Sequence, residues 1–341
     1  MEMFKVKNLT KFILGGVSAS LLSMSVAQAQ EWRFNNFLPE TRPEARELEQ
    51  FAADVKAKTN GEIDIKVFSG GSLGLKNTDV LRFLPRGAVD MSLAWANYLG
   101  RDAESLSTVM VQGTIGSVEE LNAALPEVKK IYEEEFSDWD VAITGYVALP
   151  MLEASIFCRE DPINSLDDLR GKKLRVWAKD QVDTFGRLGI SAQIIPQEEM
   201  YVAMKTGVVD CAVYPALYAH TVSLQEVSKY AAYLYPMASG PYILGMSQDK
   251  WDSLSKEHQQ ALTEAGDAVW QRTNSYEDDH QKELDARAKL AEGGVTWLDD
   301  FSEKDRQEFT AAITEVWGEL AKEAGGKAPE YRERVLKALG R

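Results

Sequence analysis

Arg175 sits in the run Lys173-Leu174-Arg175-Val176-Trp177, a cation flanked on both sides by apolar side chains. A guanidinium in such a strand can bury its methylene stem, but its charge then needs a partner. The planar fork of donors suits a carboxylate, gripped through two parallel hydrogen bonds. From this stretch alone, an Asp or Glu of the same chain is the commoner partner and an external anion the alternative. A second pattern, Gly70-Gly71-Ser72-Leu73-Gly74, fits the G-x-S-x-G turn that exposes a serine nucleophile between a strand and a helix. A hydrolase of that kind needs a later acid and histidine, and His220, His258 and His280 are the candidates. The last two fall in a helical run, where histidines ordinarily pack or face solvent, so the pattern reads first as a structural turn. The three histidines are too scattered for an i, i+4 metal pair, and no P-loop or dinucleotide-type glycine run is present. No metal or cofactor is expected. Cys158 and Cys211 permit one disulfide in an oxidising compartment or two separate buried thiols.

Alternating strands and helices must position these residues. Trp32 to Phe37 reads as a strand. Glu44 to Thr59 is predicted helical, because Leu48, Phe51, Ala52 and Val55 recur at intervals of three and four. Ile63, Ile65 and Val67 alternate with Glu62, Asp64 and Lys66, the period of a half-buried strand. A short helix over Thr78–Leu84 and a strand over Val89–Ala94 continue the rhythm of an α/β unit with a largely parallel sheet. A second set follows, with strands over 153–158, 173–177 and 208–213 and helices over 166–169 and 197–205. The two sets predict two lobes, 30–151 with about 241–280 and 152–240 with about 281–341, and clefts between domains are favoured ligand sites. Residues 255–292 lack proline and hold one glycine, Gly266, while Leu262, Ala265, Val269, Thr273, Tyr276, His280 and Leu284 keep a helical spacing. As one helix this segment would span roughly 55 Å at ~1.5 Å per residue and brace both lobes. A break near Gly266 is the alternative.

The N-terminus has the parts of a removable export signal. Lys5, Lys7 and Lys11 supply positive charge, Phe12 to Val26 is mostly apolar, and Ala27-Gln28-Ala29 offers small residues for cleavage. The apolar run is shorter than the ~20 residues of a membrane span, and later apolar runs are broken by charge. The mature protein is therefore expected in the periplasm and not embedded in the membrane. The chain carries a formal charge of −15, and the first 29 residues hold one Glu and three Lys, leaving about −17. That balance argues against nucleic acid, and it makes any arginine near a pocket informative.

Four segments then carry a resemblance. In order they are Phe68 to Gly74, Arg86-Gly87-Ala88-Val89-Asp90-Met91, Asp168 to Val176, and Glu199 to Asp210. Their sequence and spacing resemble the substrate-binding subunits of TRAP (tripartite ATP-independent periplasmic) transporters of the DctP type, over nearly the whole mature chain. The resemblance implies a two-lobed periplasmic binding protein fold of α/β class, with a long helix spanning both lobes, closing on a small organic anion. It assigns the solute carboxylate to Arg175 and a second cation to Arg159. It surrounds the solute with Phe37, Trp95, Asn97, Trp177, Gln197 and Tyr214. Cys211 and Trp177 stand where the family usually has glycine and proline. Members that bind sugar acids tend to be polar where Phe37, Trp95 and Tyr214 stand, so a monocarboxylate with an apolar or aromatic part is expected here. The resemblance also brings Cys158 and Cys211 to neighbouring places, implying a disulfide. The implied partners are a small carboxylate and membrane subunits driven by an ion gradient, with no cofactor and no enzymatic step. The alternatives are a ligand-sensing receptor for a signalling kinase and an exported serine hydrolase acting through Ser72.

Overall fold

The computed structural model describes residues 30–341, so the expected export signal lies outside the described residues. The strands are β1 (Gln30–Asn35), β2 (Ile63–Phe68), β3 (Met91–Ala94), β4 (Val141–Val147), β5 (Leu152–Cys158), β6 (Lys173–Val176), β7 (Ser191–Ile194), β8 (Cys211–Pro215), β9 (Tyr230–Met237), β10 (Tyr242–Ser247) and β11 (Thr296–Trp297). They form two sheets, ordered β2-β1-β3-β10-β4 and β11-β9-β5-β8-β6-β7. In the first, β1 pairs in parallel with β2 and β3, and β10 runs antiparallel between β3 and β4. In the second, β6 pairs in parallel with β7 and β8, whereas β5 runs antiparallel to β8 and β9. The two α/β lobes match the expectation from the strand–helix rhythm.

The predicted long helix is two helices. Lys256–Thr273 packs on β4 and on the Pro43–Lys58 helix, while Asp279–Glu292 packs on β5 and the short Ala216–Ala219 helix. The chain breaks at Asn274–Asp278, which holds Asn274, Ser275 and Asp278, residue types that favour local side-chain bonds over a continuing helix. Gly266 is not the break. It lies against Gly145 of β4, and a Cβ there would fall 2.1 Å from the Thr144 carbonyl oxygen.

The broken segment holds the chain where it passes from β4 to β5. Thr273 Oγ1 accepts from the Ala148 N–H at 3.0 Å and Asp279 Oδ2 from Met151 at 2.8 Å. Glu283 takes the N–H groups of Glu153 and Leu217 at 3.1 and 2.8 Å. The Glu303–Ala324 helix spans both lobes in its place, packing on Lys179–Arg187 of the second and Glu104–Thr108 of the first. The last helix, Ala328–Ala338, was expected with the second lobe but packs on Val118–Ser137 of the first. Tyr331 and Arg334 reach Glu135, Glu127 and Glu134 there.

Cys158 and Cys211 face each other on β5 and β8 and are disulfide-bonded. Two outcomes follow from this architecture. Gly266→Ala gains helix propensity yet should lose about 1–3 kcal/mol by overpacking against backbone, read as a lower denaturant midpoint. Replacing both cysteines by alanine should cost about 2–4 kcal/mol in the same measurement.

Candidate functional site

Carboxyl ends of parallel strands are where open α/β sheets bind ligands, and here those of β1, β3, β6 and β8 meet between the lobes. They carry Phe37, Trp95, Trp177 and Tyr214, which line a cavity of about 50 Å³ together with Arg175 and Gln197. Phe37, Trp95, Tyr98 and Tyr242 pack as one aromatic wall on the first lobe, three of the pairs edge to face and Phe37–Tyr98 tilted, with ring centroids 4.7–6.1 Å apart.

Arg175 comes from the second lobe and is 1% exposed. Its Nε donates to the Ile195 carbonyl at 2.8 Å and its Nη1 to the Val213 carbonyl at 3.4 Å. Its guanidinium carbon lies 5.4 Å from the Trp177 ring centre and 5.9 Å from that of Tyr214. Among the described residues no carboxylate forms an ion pair with it. Burial accordingly pushes the Arg175 pKa below its usual value, with only weak opposition from Tyr98, Tyr214 and the exposed Glu198. A buried guanidinium held in place by carbonyls, with no carboxylate paired to it among the described residues, has the chemistry to take an anion. Trp95 Nε1 is also buried without a hydrogen-bond partner. Burial drives the Tyr98 hydroxyl up to about 12, so it stays a neutral group beside the cation.

The lobes touch across this site. Trp177 Nε1 donates to Gln112 Oε1 of the first lobe at 2.8 Å, and the Tyr218 hydroxyl donates to Glu44. Tyr214 donates to Gln197 Oε1 at 2.9 Å, fixing the second-lobe wall. The arrangement is closed.

Six of the residues expected around the solute thus converge: Phe37, Trp95, Arg175, Trp177, Gln197 and Tyr214. Two do not. Arg159 follows Cys158, whereas the cavity lies at the Leu152 end of β5, about 20 Å away at ~3.3 Å per residue. It lines a surface groove with Lys205 and Lys229 instead. Asn97 turns its amide toward the Met110 carbonyl, and it borders a larger neighbouring cavity of about 370 Å³ that shares Tyr98 and Trp177 with the first. The cavity also contains groups that sequence reasoning passed over, above all Arg42. Pro43 opens the Pro43–Lys58 helix and holds Arg42 in extended backbone just before it. That Arg-Pro junction was the available signal.

Ser72 lies exposed in its turn. His258 and His280 bond Glu62 and Glu153, and among the described residues no histidine bonds Ser72. Among the described residues, no group of three or more His, Cys, Asp or Glu side chains could hold a metal ion, and no helix is long and apolar enough to cross a membrane.

Two α/β lobes closed on an unpaired buried cation define a bilobal solute-binding protein. The chain belongs to the bacterial extracellular solute-binding protein family 7, DctP, matched over residues 34–324. Among its relatives, a solute-binding protein of Chromohalobacter salexigens is 26% identical over 286 residues, 80% of this chain and 83% of the relative. The C4-dicarboxylate-binding periplasmic protein DctP of Rhodobacter capsulatus is 26% identical, covering 94% and 96%. Among solved structures, the Bordetella pertussis receptor DctP7, which binds pyroglutamic acid, is 21% identical with a TM-score of 0.80, covering 92% of this chain and 100% of that one.

The Trp177–Gln112 bond exists only when the lobes meet. Trp177→Phe keeps an aromatic ring, though a smaller one, and removes the donor, so solute affinity should fall roughly 2- to 10-fold, the equivalent of about 0.5–1.5 kcal/mol. Calorimetric titration with the solute that most raises the melting temperature checks this.

Proposed function

We propose that this protein is the periplasmic receptor of a TRAP transporter and that it captures an organic acid, a monocarboxylate with an apolar or aromatic part, between its lobes. The observation that carries the reading is Arg175, buried and paired with no carboxylate among the described residues. In the open cleft the guanidinium is hydrated, and an acid enters and pairs with it. Closure then expels water. The attraction between two unit charges 4 Å apart rises from about 1 kcal/mol in water to about 4 kcal/mol at an effective dielectric of 20. The aromatic wall covers the remainder of the acid, and Trp95 Nε1 offers it one further donor. The loaded closed form is what membrane subunits receive, and no bond is made or broken.

Related structures favour an acid as cargo. A TRAP solute-binding protein from Sulfitobacter sp. NAS-14.1 holds β-D-galacturonate, with a TM-score of 0.77 at 24% identity over 92% of this chain and all of that one. The pyroglutamate of the Bordetella receptor is an acid as well. The aromatic rings of Phe37, Trp95 and Tyr242 support a less polar body than a sugar acid.

Arg175→Ala should weaken acid binding by roughly 100-fold or more, about 3 kcal/mol, the scale of truncating one partner of a buried charge pair. The ligand-free melting temperature should change little, because no protein carboxylate loses its partner. A thermal-shift screen of carboxylates followed by calorimetry reads both, and undiminished affinity would remove Arg175 from the site.

A further inference from the structure

The cavity contains a second guanidinium, and its charge is already matched. Arg42 lines it from the first lobe. Its Nε and Nη2 donate to the two oxygens of Glu44 at 3.0 and 3.1 Å, a fork-to-fork pair. Both side chains are buried, with 3% and 5% of their surface exposed. Tyr218 of the second lobe completes the unit. Its hydroxyl donates to Glu44 Oε1, and its ring centre lies 3.3 Å from the Arg42 guanidinium carbon. Burial alone would push the Glu44 carboxyl up, but Arg42 and the Tyr218 hydroxyl outweigh it and hold the group below the usual carboxylate range. Glu44 is therefore ionised, and the pair is neutral as a whole.

The charge that the closed cleft presents is then a single positive one, on Arg175. The phenols of Tyr98, Tyr214, Tyr218 and Tyr242 are all shifted upward by burial and carry no charge at neutral pH. Glu198, the carboxylate that most influences Arg175, is on the solvent side.

We propose that Glu44 is a charge filter: by neutralising Arg42 it admits acids with one negative charge and rejects those with two. The inference rests on that monocarboxylate reading and names the residue that enforces it. A second ligand carboxylate has two places to go, and both are unfavourable. It can lie buried without a partner, or it can displace Glu44 from Arg42 and leave Glu44 buried and unpaired instead. Glu44 in effect occupies the position of a second carboxylate and does so permanently. Arg42 still serves as a rigid polar wall, because Tyr218 and Glu44 hold its plane.

The test compares acids matched in skeleton: butyrate with succinate, valerate with glutarate, and benzoate with terephthalate. Each is titrated calorimetrically at pH 7.5 into wild type, Glu44→Gln and Arg42→Gln/Glu44→Gln. Glutamine keeps an acceptor for Arg42 and drops the charge. Wild type should bind the monocarboxylate of a pair at least tenfold more tightly. Glu44→Gln should raise affinity for the dicarboxylate at least tenfold, and the double variant should lose that gain. Wild type binding dicarboxylates as tightly as their partners would overturn the filter without recourse to any variant. So would an unchanged ratio in a folded Glu44→Gln protein that still binds the monocarboxylate. Failure of the parent reading has another signature, a solute held equally by wild type and Arg175→Ala.

Discussion

The proposed function depends on one interaction, the positive charge of Arg175 buried in the closed cleft beside carbonyl oxygens and aromatic rings. Closing the lobes around that charge without an anion removes its water and supplies nothing equivalent. Closing them around an acid turns the same desolvation into a stronger ion pair. On the proposed reading, the equilibrium between open and closed forms is tied to occupancy, since a ligand shifts a conformational equilibrium only by its differential affinity for the two states. The paired Arg42 has no such effect, because Glu44 already matches its charge.

This coupling requires two stiff lobes and a defined path between them. Stiffness comes from the sheets, from the β5–β8 disulfide, and from tight contacts such as Gly145 on Gly266. The path is set where Thr273, Asp279 and Glu283 take the backbone donors of Ala148, Met151 and Glu153. A single unbroken helix could not present its side chains this way while also packing on both sheets. The interruption at Asn274–Asp278 lets each half follow its own lobe, and the Glu303–Ala324 helix supplies the bridge.

The periodic parts of the fold were legible in the sequence, and the cavity partly so. Spacing exposed the Pro43–Lys58 helix and the alternating strand at Ile63, because one face of each is buried and the other is wet. The resemblance named Phe37, Trp95, Trp177 and Tyr214, and they line one cavity because the carboxyl ends of the parallel strands converge. Arg159 went wrong because β5 enters its sheet antiparallel to β8, so the cleft lies at its beginning and not at its end. The helix break was hidden because Thr273, Tyr276 and His280 preserve a helical interval across it. Arg42 was missed because its role depends on Glu44, two residues away, and on Tyr218, far along the chain.

The strand order of the first sheet bears on how the chain assembles as it emerges from its amino end. β10 separates β3 from β4, so β4 has no neighbour in its own sheet until residues 242–247 are available. By then β5 through β9 have all emerged, with both cysteines among them. The second lobe can thus pair its central strands and oxidise Cys158 with Cys211 while the first lobe is still an unfinished three-stranded ribbon. The sheet that carries Arg175 can therefore assemble its strands β5 to β9 before the first sheet is complete, while β11 and the helices over residues 279–324 are added to it afterwards.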